Sequence, residues 1–65
     1  MSQESRKHAD ESRYHLEKAE KNLQAAKEHA GYTGDAGLVK KVEKLHSDTE
    51  TVRKDVQKKL GHENG

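Results

Sequence analysis

The chain has no cysteine, which excludes a disulfide framework and any thiolate nucleophile or metal ligand. Proline, tryptophan and phenylalanine are absent too. Tyr14 and Tyr32 are the only aromatics, too few to form a platform on which nucleic-acid bases could stack. Charge of one sign is also missing: 13 Lys and Arg stand against 12 Asp and Glu, for a formal net charge of +1. So balanced a chain sets up no long-range field to hold a polyanion, and charge at 38% of residues reads as solvated surface. No apolar run reaches bilayer length, and no signal-peptide pattern follows Met1. The chain is therefore expected to stay in the cytoplasm, where it is made.

Core-forming residues are scarce as well. Hydrophobic residues make up 28% of the 65, and isoleucine is absent, leaving leucine and valine as the core-forming aliphatics. The length allows one domain at most, over residues 1–65, and excludes a dinucleotide-binding unit, a barrel or a kinase-like fold. A lone fold of this size buries too little apolar surface to offset its chain entropy. Small domains escape that limit through disulfides, metals or oligomerisation. With cysteine absent, self-association, a metal, a partner or disorder remain.

What the chain does have is helix-forming composition on both sides of one break, Gly31-Tyr32-Thr33-Gly34-Asp35-Ala36-Gly37. The flanking segments are rich in Ala, Leu, Glu, Lys and Gln, and no strand-like alternation competes. The sequence predicts a helix over about 2–30, a loop over 31–35, a helix over about 36–60 and a short tail over 61–65. Gly31 is placed to end the first helix with positive φ, and Tyr32 to fold back onto its last turn. Asp35 or Thr33 is the expected N-cap of the second helix. Ser47-Asp48-Thr49-Glu50 reads as a capping box in mid-helix, but the heptad pattern runs straight through it.

Both helices carry seven-residue patterns. In the first, Ala9, Leu16, Leu23 and Ala30 form one row and Ser5, Ser12, Ala19 and Ala26 another. In the second, Leu38, Leu45, Val52 and Lys59 form one row and Val42, Thr49 and Val56 the other. Alternating spacings of three and four put each pair of rows on one stripe. The fold class is thus all-α, an antiparallel helical hairpin. Folded about the loop, the rows are expected to layer as Ala30 on Leu38, Ala26 on Val42, Leu23 on Leu45, Ala19 on Thr49, Leu16 on Val52 and Ser12 on Val56. On the flanks His15 falls opposite Asp55, and Glu20 opposite His46. A hairpin so built would leave Val39 and Leu60 half wet, and two hairpins packed as a four-helix bundle would cover them.

Five histidines are the chain's most distinctive chemistry. His8, Glu11 and His15 stand at i, i+3 and i+7, a spacing that could offer a surface site to a divalent transition metal such as zinc, nickel or copper. The plainer reading is histidine at the half-buried edge of a bundle. Glu43-Lys44-Leu45-His46 repeats the Glu-x-x-His string of di-iron helical bundles. Its Glu43 and His46, however, fall on the flank rather than at the inward positions of Val42 and Leu45, so iron ranks below the other metals. Ser47 and Asp48 beside His46 lack a glycine-rich turn to make an oxyanion hole, and the loop has no Lys or Arg to hold a phosphate. The lysines of the second helix are interrupted by acids and read as a solvated face. The chain is therefore expected to be no enzyme, to avoid nucleic acid and membrane, and to pair with itself or with another amphipathic helix. The interface would be Leu16, Leu23, Leu38, Val39, Val42, Leu45, Val52, Val56 and Leu60. A metal- or pH-responsive histidine binder is the alternative, and a hydrophilic stress-type polypeptide is the third reading.

Overall fold

A computed structural model describes residues 2–64, and the side chains of 2–61. It contains two helices, α1 (Gln3–Gly31) and α2 (Ala36–Asn64), packed against each other as a hairpin. The result is a rod of 47 × 14 × 13 Å.

The helix ends follow from local hydrogen bonding. Ser2 caps α1, its hydroxyl accepting from the Ser5 amide at 3.1 Å. Asp35 caps α2, its carboxylate accepting from the Leu38 amide at 3.1 Å. Thr33, the other N-cap candidate, holds the turn instead. Its hydroxyl donates to the Ala30 carbonyl at 2.6 Å and accepts from the Asp35 amide at 3.1 Å. The positive φ that reverses the chain belongs to Gly34 (74°), not to Gly31, which remains helical. Tyr32 turns its ring toward the last turn of α1, 6.3 Å from the His29 ring between centroids, but buries little there and stays 87% exposed. Gly61 does not end α2, which continues to Asn64. The Ser47–Glu50 box is unused, because α2 runs unbroken through it and leaves no N-terminal amides to cap; Thr49 and Thr51 donate their hydroxyls to the Leu45 and Ser47 carbonyls, at 2.8 and 3.1 Å.

The seam between the helices differs from the expected one. Along α1 the half-buried positions are Arg6, Ala9, Arg13, Leu16, Ala19, Glu20, Leu23 and Lys27, ending at buried Ala30. Along α2 they are Val39, Val42, His46, Thr49, Glu50, Arg53 and Val56, ending at buried Leu60. Counted outward from the loop at equal helical rise, the stripes set Ala30 level with Val39, Leu23 with His46, Leu16 with Arg53 and Ala9 with Leu60. Val39 and Leu60, expected to lie half wet, are thus part of the seam. Leu38, Leu45 and Val52, expected within it, are 41, 54 and 49% exposed. Each helix has turned by about one position. Long side chains account for this: the stems of Arg6, Arg13, Lys27 and Arg53 cover apolar neighbours while their charged ends reach water or a carboxylate. Ser5 and Ser12 offer no comparable area. The buried core among the described residues is Ala30 and Leu60 alone.

Candidate association face

The turn of the seam gives the hairpin two unlike sides. One side carries polar chemistry. Arg53 of α2 donates to Glu20 of α1 at 2.6 Å and to Gln57 at 2.7 Å. The Glu20 and Arg53 side chains are 15 and 20% exposed, so this pair is largely enclosed. It replaces the expected pairing of Glu20 with His46. Glu17, Glu20, Lys21 and Arg53 line a small hollow here. Farther toward the open end, Gln3, Asp10, Arg6, Arg13 and Leu60 line a cleft of about 1040 Å³. Arg13 bonds Asp10 at 2.7 Å, while its buried Nε has no hydrogen-bond partner. Glu4 and Asp10 stand among Arg6, Lys7 and Arg13 along this cleft, so it offers no field of one sign.

The edge positions of this side are Asp10, Glu17 and Gln24 on α1 and Glu43, Glu50 and Gln57 on α2, all polar. Lys54 lies 3.0 Å from Glu50. Its hydrogen bond and charge hold the Glu50 carboxyl below the ordinary value of 4.5, with smaller help from His46 and Arg53.

The other side is apolar. Rows standing in the same relation to the seam emerge on the same side of an antiparallel pair. Leu38, Leu45 and Val52 of α2 therefore share a side with Ala26, Ala19, Ser12 and Ser5 of α1. The α2 members are exposed, as are Ala26, Ser12 and Ser5. The α1 row is small throughout and the α2 row is large. Ala19 reaches into the seam, and the hairpin leaves about half of each large side chain on this face uncovered.

The proposed interface residues are thus divided. Leu16, Leu23, Val39, Val42, Val56 and Leu60 lie in the hairpin seam, whereas Leu38, Leu45 and Val52 stand on the open face. The metal candidates are spread out. His8, Glu11, His15 and Glu43 are exposed, and His46 is half-buried in the seam. Among the described residues, no three side chains of ligating type are gathered to hold an ion. No described helix is long and apolar enough to cross a membrane. Sequence reasoning missed the Glu20–Arg53 pair. Its signal was present as charges recurring at seven-residue spacing, Arg6, Arg13, Glu20 and Lys27, immediately beside an apolar row.

The chain matches no protein-family model, no curated protein and no solved structure.

Proposed function

We propose that this chain is a non-catalytic association module, a helical hairpin that dimerises through its open face into a four-helix bundle. The observation that carries the reading is the exposure of Leu38, Leu45 and Val52 in one row, at 41, 54 and 49%. They belong to the chain's small stock of large apolar side chains, yet the hairpin leaves them in water. Each stands to gain on the order of 1 kcal/mol from covering its exposed half. The polar edge opposite gains nothing from burial, and the half-exposed Tyr14 ring already carries the Lys18 ammonium 5.0 Å from its centroid, so the apolar row is the side that invites a partner.

Folding and association are then coupled. A hairpin whose buried core is Ala30 and Leu60 has little to set against the ordering of two 29-residue helices. Sedimentation equilibrium should show mass rising from one chain to two with concentration, and the melting temperature should fall on dilution. A one-chain mass at every concentration, with a melt that dilution does not move, overturns the proposal. The same runs separate the other readings. Zinc-dependent mass or helicity points to a histidine metal binder, and low helicity throughout points to a hydrophilic stress-type polypeptide.

A further inference from the structure

We infer that the two hairpins pair with their two-fold axis parallel to the rod, so that α1 of each chain lies against α2 of the other. The inference rests on the dimer reading above and specifies how that dimer is built. Its observation is the asymmetry of the open face, small side chains on α1 and large ones on α2.

A face that meets its own copy has two simple choices. With the axis across the rod, α1 meets α1 and α2 meets α2. Alanine and serine then face alanine and serine, while leucine and valine face their like. One helix pair is drawn close and the other is held apart, and the two demands conflict in a rigid hairpin. With the axis along the rod, every level sets a small residue against a large one, and both gaps are equal. The level order given by the seam makes the rows interleave: Leu38, Ala26, Leu45, Ala19, Val52, Ser12. Each large side chain of one copy therefore meets the space beside a small side chain of the other, which is the knob-and-hole condition. The rims add hydrogen-bond donors opposite carboxylates. Beyond the small row of α1 lie His15 and Asn22, and beyond the large row of α2 lie Asp55 and Asp48. The lengthwise axis sets His15 at the level of Asp55 and Asn22 at the level of Asp48, across the two chains. His29 at the level of Lys41 is the rim pair that gains nothing.

Single-cysteine variants test this. Ala19→Cys and Val52→Cys chains are made separately, mixed under reducing conditions and then oxidised. The lengthwise dimer brings position 19 of one chain beside position 52 of the other. A mixed disulfide, told from the homodimers by mass, is expected to dominate, and neither variant alone should cross-link efficiently. If Val52→Cys or Ala19→Cys alone cross-links efficiently and the mixture adds nothing, the crosswise axis is correct and this inference fails while the dimer stands. If the parent sediments as one chain, both fail. Circular dichroism on the reduced variants checks their helicity. Should either lose it, Ala26→Cys with Leu45→Cys asks the same question one heptad nearer the loop.

Discussion

Leu45 and Leu23 illustrate how burial, not residue type, decides what a side chain does. The heptad rows pair the two in one layer, yet Leu23 is half-buried in the seam and Leu45 is 54% exposed. Because folding and pairing are coupled, both sites are covered in the folded dimer, and Leu23→Ala and Leu45→Ala should each cost about 2 kcal/mol. Thermal melts at a concentration where the parent is paired check this, and a Leu45→Ala chain that melts like the parent would remove Leu45 from the association face. Glu20 and Arg53 are a second case. Glu20→Gln keeps an amide oxygen to accept from the Arg53 guanidinium but removes its countercharge, so a loss of about 1 kcal/mol is expected. Replacing both with leucine should be neutral or stabilising in a denaturant melt, since a pair this enclosed is desolvated at a cost its attraction barely offsets. A double variant less stable than Glu20→Gln would show that the pair contributes more than its desolvation takes away.

At the scale of the element, the two helices and their break were legible in the sequence, because the glycines interrupt two stretches of strong helix formers. The Asp35 cap was legible for the same local reason. The face each helix turns to the other was not. Each helix has three adjacent rows that can bury area: a central row, a row of small or aliphatic side chains on one side, and on the other Arg6, Arg13, Glu20 and Lys27 in α1 and Val39, His46, Arg53 and Leu60 in α2. Counting apolar letters selects the first two. The hairpin uses the first and third, because Arg6, Arg13, Lys27 and Arg53 have apolar stems that the letters do not show. The row left over, Leu38, Leu45 and Val52, becomes the candidate site. Glu50 gives this scale its pH dependence. Lys54 one turn on lowers its folded pKa, so the pair contributes stability above the ordinary value of 4.5 and loses it as pH falls through the lowered one. The parent and Glu50→Gln should therefore differ at neutral pH and converge in acid, with the difference shrinking in salt, since the pair is exposed. Melting curves that run parallel through the acid range would assign the difference to another cause.

At the scale of the molecule, the rod is polar end to end, with the loop at one end and two helix termini at the other. The start of α1 and the end of α2 lie at the open end, opposite the loop, with the length of the rod, 47 Å, between. The two candidate dimers place these ends differently. A lengthwise two-fold gathers all four ends at one end of the bundle, while a crosswise two-fold sends each pair to opposite ends. A short tether therefore distinguishes them without any substitution in the face. Two copies joined in tandem by a flexible linker of about six residues reach about 20 Å at full extension. That spans neighbouring ends but falls far short of the length of the rod. In the lengthwise dimer the tether converts association into an intramolecular step at high effective concentration. The tandem chain should then sediment as a single tandem molecule. It should melt above the untethered parent, at a temperature that dilution does not move. In the crosswise dimer the second hairpin cannot reach its place, and each tandem chain must borrow a partner from another. Mass would then climb with concentration beyond one tandem molecule, and the melt would stay dilution-sensitive. That outcome would leave the open face as the dimer surface and reverse the direction in which the two copies meet.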